Sequence, residues 1–246
     1  MTTDSDCVIV ESFDRTRATQ LCLPRYGNGN PEGVANDFWH LMVRQRRSAY
    51  WARKLFGLKI DWNAHQQHVT KSSWRDVADG GPVFCFTRFG RSVTVLPDGR
   101  IIHIGGEHED WYDPDFCIYN DVIIETPTGE FDILVYSADV FPPTDFHTAT
   151  LVDRHIYLIG NLGYIDQRSY GETPVRVLDT RNFRMKNVAT SGEAPGWISR
   201  HEARFNPERD EIIVTGGTIM SGDKAQASNT RTFALDLSSN VWSAHD

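Results

Sequence analysis

Paired cysteines and long apolar runs are both absent from the sequence. The four cysteines, Cys7, Cys22, Cys85 and Cys117, form no CxxC pair, which argues against a zinc ribbon. No apolar run approaches the roughly 18 residues that a membrane-spanning helix needs. The start of the chain also lacks the basic region of a signal peptide. We therefore expect a cytoplasmic protein with reduced thiols, and two disulfides in an exported protein are the alternative.

Positive charge and the common catalytic motifs are also scarce. The net charge is -8 and the isoelectric point is about 5.6, whereas a protein that binds a nucleic-acid backbone needs clustered positive charge. The chain has no GxSxG nucleophile motif and no phosphate-binding loop, because the glycine-rich stretch 216–222 lacks the GK[ST] ending. We therefore expect no cofactor.

An amphipathic helix is predicted in the N-terminal third of the 246-residue chain. Asn36 or Asp37 can cap a helix over residues 37–56 that ends at Gly57. Its apolar stripe consists of Phe38, Leu41, Met42, Ala49, Ala52 and Phe56. The basic residues between Arg44 and Lys54 lie mostly off this stripe. We expect the helix to dock on the main domain with solvated arginines, and the other interpretation is an RNA-binding or membrane-surface element.

From Pro82 onward the sequence consists of short predicted strands and turns that recur at a fixed spacing. Predicted hairpins at residues 92–104, 147–159 and 201–215 are each followed by glycine. These glycines, Gly105, Gly160 and Gly216, are spaced by about 55 residues, and a second strand pair follows each hairpin. A period of this length, carried by hairpins and glycines, is typical of a radial β-repeat with four strands in each unit.

These units resemble kelch repeats, in which each repeat forms one four-stranded propeller blade. The family pattern has a histidine at the start of one strand, a Gly-Gly pair after the next strand, and later a Leu-Asp…Trp strand pair. The third unit matches with His201, Gly216-Gly217, Leu235-Asp236 and Trp242. The second unit has His147, Gly160-Asn161 and Leu178-Asp179, and the first has Gly105-Gly106 with Ser92 in place of the histidine.

The resemblance covers about residues 82–246 and implies an all-β fold. We expect a small or incomplete kelch-like β-propeller of three clear four-stranded blades with an N-terminal amphipathic helix. Because three blades do not close a ring comfortably, strands at 7–11, 58–62 and 73–77 are expected to complete a fourth. The alternative is an open array of three sheets, capped by the helix or closed by a second chain. The predicted domains are the N-terminal segment 1–81 and the repeats 82–246.

The densest polar cluster lies in the loop after the first hairpin, where five acids fall within nine residues. Unpaired carboxylates repel each other. The loop therefore predicts arginine neighbours in the fold, a basic protein partner, or a cation held by oxygens, although its spacing does not match an EF-hand. The binding residues predicted in this loop are Glu107, His108, Glu109, Asp110, Trp111, Tyr112, Asp113 and Asp115.

Aromatic and arginine residues in the later loops are further candidates for a binding face. Loops of successive propeller blades converge around the central channel, and these residue types dominate interface energetics. The candidates are Tyr164, Arg168, Trp197 and Arg200. His147 and His201 occupy equivalent repeat positions, which favours a structural role between blades over catalysis.

Two functional hypotheses follow for this chain. The first is a non-enzymatic protein-binding module that neutralises a basic partner, as an inhibitor or immunity protein of a bacterial toxin does. The second rests on the kelch resemblance, since some kelch-type propellers are sugar mutarotases or epimerases. Such an enzyme needs a channel-facing acid and base for proton transfer. The candidate groups for this chemistry are Arg200, His201, Glu202 and Glu107.

Overall fold

The computed structural model describes residues 13–60, 81–108, 116–223 and 225–245. Within these residues the chain is mostly antiparallel β-sheet with three α-helices, so the predicted β-rich fold is confirmed. None of these helices is long and apolar enough to cross a membrane. The predicted strands at 7–11 and 73–77 lie outside the described residues. Of the predicted strand at 58–62, the described residues 58–60 form no strand.

Three short helices precede the main sheets: α1, Arg15–Leu21, α2, Asp37–Arg44, and α3, Ala49–Phe56. The prediction of one helix over 37–56 is wrong, because the chain turns at Arg46, which has a φ of 51°, and Ser48 then caps α3. The predicted N-cap at Asn36 and the stop at Gly57 are confirmed. Helix α1 was not predicted.

The described residues contain nineteen strands. In order they are β1 Glu32–Gly33, β2 Ser92–Val95, β3 Ile101–Ile104, β4 Glu107–His108, β5 Cys117–Ile118, β6 Asp121–Glu125, β7 Phe131–Val135, β8 Thr148–Val152, β9 His155–Ile159, β10 Val175–Asp179, β11 Met185–Asn187, β12 Ser191–Gly192, β13 Trp197–Ser199, β14 Glu202–Asn206, β15 Glu211–Thr215, β16 Thr218–Met220, β17 Gln226–Ser228, β18 Thr232–Asp236 and β19 Val241–His245.

The strands form three antiparallel units with the same internal order. The first unit is β2-β3-β6-β7, the second β8-β9-β10-β11 and the third β14-β15-β18-β19. Strand β1 lengthens the first sheet beside β7, and β12 pairs in parallel with β19. Two smaller sheets, β4-β5 and β13-β16-β17, extend from the first and third units. The N-terminal segment thus adds an edge strand and helices to the first unit.

The sheets stack face to face through separate apolar cores. Because side chains alternate along a strand, each sheet sends one set of residues to each neighbouring layer. The helices share a core with β6 and β7, formed by residues such as Phe38, Trp39, Ile123 and Ile133. The first and second sheets meet at Ile102, Ile104, Ile156 and Leu158. The second and third meet at Ile159, Ile212, Val214 and Trp242.

Equivalent backbone groups link each unit to the next at the innermost strands. The N–H of Phe146 donates to the carbonyl of Gly90 at 2.7 Å, and the N–H of Arg200 donates to the carbonyl of Phe146 at 2.8 Å. These residues stand at the same repeat position, and all three have a positive φ. The same local backbone conformation therefore recurs in each unit, and its N–H and carbonyl groups form the hydrogen bonds between neighbouring sheets.

Side chains repeat the same link. The Ser92 hydroxyl lies 2.8 Å from His147 Nε2, and the Thr148 hydroxyl lies 2.9 Å from His201 Nε2. Burial lowers the pKa of His147 to about 3 and that of His201 to about 4, so both rings are neutral at pH 7. The two histidines lie between sheets, as their equivalent positions predicted.

The register of the hairpins corrects one feature of the repeat alignment. Ser92 pairs with Ile104, directly before the first glycine, as Thr148 pairs with Ile159. Ser92 is therefore equivalent to Thr148, and the residue at the histidine position of the first unit is Arg91. The sequence alignment placed Ser92 one residue out of register with His147, because the turns of the three hairpins differ in length.

Within the described residues the three sheets do not close into a ring. A Cβ on Gly105 would meet the Thr144 carbonyl oxygen at 2.2 Å, and one on Gly160 would meet that of Ile198 at 2.4 Å. A Cβ on Gly216, the equivalent position in the third unit, meets nothing within 4 Å. The third sheet thus ends the array, and a propeller remains a proposal.

Replacing Gly160 with alanine is expected to destabilise the protein by about 2–4 kcal/mol, because the added methyl collides with the next unit. The same change at Gly216 is expected to cost only about 1 kcal/mol, for the positive φ alone. Urea unfolding of both variants measures the difference. Equal losses of stability would show that the two units do not approach each other at Gly160.

Candidate functional site

Segments from all three units bring four charged residues together. Strand β4 places Glu107 beside the loop that holds Asp145, and both Arg200 and Arg168 act electrostatically on the Asp145 carboxyl. Glu107, Arg168 and Arg200 were predicted as binding residues from the sequence, and the fold collects them around Asp145. Asp145 was missed, because nothing in its local sequence indicates burial.

Asp145 is fully buried, and its carboxyl group is only partly satisfied. Its Oδ1 accepts the N–H of Gly163 at 2.7 Å, whereas Oδ2 meets no donor among the described residues. The Glu107 carboxyl lies beside it. Burial raises the pKa of Asp145, which outweighs the opposing effects of Gly163, Glu107 and the two arginines. The proximity of two carboxyl groups favours a proton on one of them.

The two arginines are held in place by neighbouring groups. Arg168 donates from Nε to the Leu162 carbonyl at 2.9 Å and from Nη2 to that of Gly163 at 3.1 Å. The Arg200 guanidinium lies over the Phe146 ring, 3.8 Å from its centroid. A proton-sharing carboxyl pair flanked by fixed positive charge can transfer protons or bind a polar group.

Three other predicted binding residues prove to be part of the framework. Tyr164 is buried and its hydroxyl accepts the N–H of Ile118 at 2.9 Å. Trp197 is buried and donates from Nε1 to the Leu162 carbonyl at 3.0 Å. His108 is 2% exposed and contacts a thiol. Their aromatic and imidazole groups therefore stabilise the loops instead of presenting a surface.

The four proton-transfer candidates are divided by the fold. Glu107 and Arg200 lie at the carboxyl pair. His201 is used in the inter-sheet hydrogen bond with Thr148. Glu202 is exposed on strand β14. Of the four candidates, Glu107 and Arg200 are therefore the two that the fold brings together.

The rest of the predicted acidic loop lies outside the described residues. It comprises Glu109, Asp110, Trp111, Tyr112, Asp113 and Asp115. Among residues 13–60, 81–108, 116–223 and 225–245, no group of three or more His, Cys, Asp or Glu could hold a metal ion.

A buried thiol beside His108 was not predicted either. Cys85 is 0% exposed, and its Sγ lies 3.5 Å from the Tyr119 hydroxyl. Burial raises the pKa of this thiol, but His108, Arg88 and Tyr119 together outweigh that effect and leave the pKa below its usual value. Its depth in the core favours a structural role.

Arg88 is buried, and a bidentate ion pair with Asp121 offsets the desolvation of its charge. Its Nη2 donates to Asp121 Oδ2 at 2.8 Å, and Nη1 bonds the other carboxylate oxygen. The guanidinium carbon also lies 3.5 Å from the centroid of the Tyr119 ring. The positive charge of Arg88 is therefore neutralised within the protein.

Comparison of the chain with known proteins gives no assignment. No protein-family model matches the sequence, and no curated protein matches it either. Function is therefore inferred from the geometry of the described residues.

Changing Asp145 to asparagine is expected to alter the pH dependence of stability. Because the folded-state pKa of Asp145 is raised, the native protein holds a proton that the unfolded chain releases above about pH 4. Wild-type stability should therefore fall as pH rises from about 4 through the raised pKa, relative to the variant. Asparagine keeps an acceptor for Gly163 and supplies N–H donors toward Glu107.

Thermal unfolding of both proteins between about pH 4 and 8 measures this difference. A constant difference in stability across that range would show that Asp145 is not protonated in the native state.

Proposed function

We propose that this protein is a non-enzymatic binding module, built as an incomplete kelch-like propeller, that presents an acidic surface to a basic protein partner. Three observations support the architecture. The units share one strand order, their glycines recur at one period, and equivalent hydrogen bonds join neighbouring sheets. In this proposal the ring of sheets is open or incompletely closed, and the third sheet, at the end of the array, faces the partner.

The open end of the third sheet is the observation on which the proposal depends. Ser92 and Thr148 each bond the histidine of the following unit, and the residue at that position in the third unit is Glu202. Glu202 pairs with Thr215, as Ser92 pairs with Ile104. It is exposed and has no ion-pair partner among the described residues. A carboxylate here fits a cationic side chain from a partner.

The chemistry of this terminal face favours a polar partner. Glu202, Arg204 and Ser243 share the outer face of the third sheet with the apolar residues Ile213, Ala234 and Val241, as their registers show. The opposite face, which meets the second sheet, is lined with apolar residues. The outer face is therefore mixed in character and less apolar than the face buried against the second sheet.

The distribution of charge supports a basic partner. Residues 82–246 contain 14 lysines and arginines and 24 aspartates and glutamates, a net charge of -10. This region is more acidic than the whole chain, whose net charge is -8. An acidic surface accelerates association with a basic protein and excludes acidic competitors. An inhibitor or immunity protein of a basic toxin has these properties, and we place this role in the cytoplasm, where thiols stay reduced.

Affinity purification from cells of the source organism tests the proposal with three forms of the tagged protein. The wild type should recover a basic protein in stoichiometric amount, and added salt should weaken the complex. Glu202→Lys should lose most of this partner, because it places like charges in contact. Glu208→Lys makes the same charge change in the adjacent exposed turn and should retain it.

Two results would contradict the protein-binding proposal. One is recovery of no stoichiometric partner by the wild type. The other is equal retention of the partner by both lysine variants, since that would remove the terminal sheet from the interface.

A second candidate function is a sugar mutarotase or epimerase, favoured by the carboxyl pair of Glu107 and Asp145. A protonated carboxyl beside a second carboxyl provides a general acid and base within one site. Saturation-transfer NMR on hexoses and acidic sugars should then show anomer exchange faster than the spontaneous rate. Asp145→Asn should abolish the excess rate, and the absence of any excess with the wild type rejects this function.

A further inference from the structure

A cavity of about 500 Å³ lies at the end of the second sheet, on the side of its outer strands. It is bounded by β10, the end of β11 and the segment that leads to β13. Its wall includes Gln167, Thr173, Arg176, Asn187, Thr190 and Trp197. The volume falls within the range of small-molecule sites in proteins. None of these residues contributes to the terminal face of the third sheet.

Arg176 carries a positive charge in this wall without any compensating acid. No hydrogen bond or ion pair to its side chain is formed by the described residues, and its Nε is buried. Burial is the sole cause that lowers the pKa of Arg176, to about 10, so the side chain is still charged at pH 7. The residue as a whole is partly buried, and a partly buried charge without a counterion is costly.

The contrast with Arg88 shows that this arrangement is not the rule in this protein. Arg88 is buried in the first sheet, and Asp121 neutralises it through two hydrogen bonds. Arg176 is in the second sheet and has no such carboxylate. The acid among the cavity residues is Glu172, which is exposed and does not contribute to the pKa of Arg176.

A second unsatisfied group lies in the same wall. Gln167 Oε1 is buried and accepts no hydrogen bond from the described residues. Two other polar groups of the wall are already used. The Thr173 hydroxyl donates to the Gly196 carbonyl at 2.8 Å, and Trp197 Nε1 donates to the Leu162 carbonyl. The cavity therefore offers a ligand the Arg176 guanidinium as a charged donor and Gln167 Oε1 as a buried acceptor.

We propose that this cavity binds a small organic acid that also carries hydroxyl groups. The carboxylate of the ligand accepts hydrogen bonds from the Arg176 guanidinium, and a ligand hydroxyl donates to Gln167 Oε1. An arginine fork matches the two oxygens of a carboxylate. Each contact satisfies a group that the protein leaves unpaired, so binding relieves a desolvation cost that is already present.

Isothermal titration calorimetry with gluconate and sorbitol tests the proposal. These two probes have similar size and hydroxyl content, and only gluconate carries a carboxylate. The wild type should bind gluconate at least tenfold more tightly than sorbitol. Arg176→Gln should weaken gluconate binding at least tenfold. Arg184→Gln removes an exposed arginine before β11 and should leave the affinity unchanged.

A substitution at Gln167 separates the hydroxyl contact from the charge. Gln167→Leu should weaken gluconate binding several-fold but leave the binding of inorganic phosphate unchanged. Urea unfolding of the ligand-free proteins checks that each variant folds, and Arg176→Gln should be at least as stable as the wild type, because it removes a partly buried charge that has no carboxylate partner among the described residues.

The proposal is overturned if gluconate does not bind the wild type at millimolar concentration, or if sorbitol binds equally well. Unchanged gluconate affinity in folded Arg176→Gln also rejects it. This test is independent of the protein-binding proposal. The protein partner is tested with substitutions at Glu202 and Glu208 in the third unit, whereas the cavity lies at the second sheet.

Discussion

The hydrogen bond from a histidine of one unit to a hydroxyl of the unit before it is the contact on which the array depends. It is buried at the innermost strands, where the sheets approach most closely, and it fixes the position of each sheet on its neighbour. Glycines without a Cβ permit this approach. A neutral imidazole suits the position, since a charged ring would be desolvated without a counterion. The apolar cores between the sheets then supply the bulk of the stabilising burial.

The two ends of the array are finished in different ways. At the first sheet, three helices cover the outer strands and share a core with them, while Val93 and Val95 on the innermost strand stay exposed. Arg91 replaces the histidine here, and it donates to the Phe86 carbonyl of its own segment. At the third sheet, Glu202 replaces the hydroxyl, and the outer face carries charged and polar residues beside apolar ones. The deviations from the repeat thus fall at the positions that have no neighbouring unit to bond.

Buried charge separates the structural from the functional candidates in this protein. Arg88 and Asp121 neutralise each other within the first sheet, and their pairing fixes the surrounding aromatic rings. Asp145 shares its buried position with the Glu107 carboxyl. Arg176 has no carboxylate partner among the described residues and lines the cavity at the end of the second sheet. The carboxyl pair and the cavity wall are therefore two sites at which the fold tolerates an energetic cost.

Local patterns in the sequence determined the repeat, the hairpins, the start of α2 and the end of α3. Turn residues, glycine spacing and capping groups act over a few neighbouring residues, so Asn36, Gly57 and the three glycine positions could be read directly. The break at Arg46, the covering of the first sheet by helices and the alignment of Arg91 with His147 depend on contacts between distant segments. The same is true of Asp145 beside Glu107 and of the uncompensated charge of Arg176. Burial and the identity of a neighbour across the fold are properties of packing, and only the tertiary structure decided them.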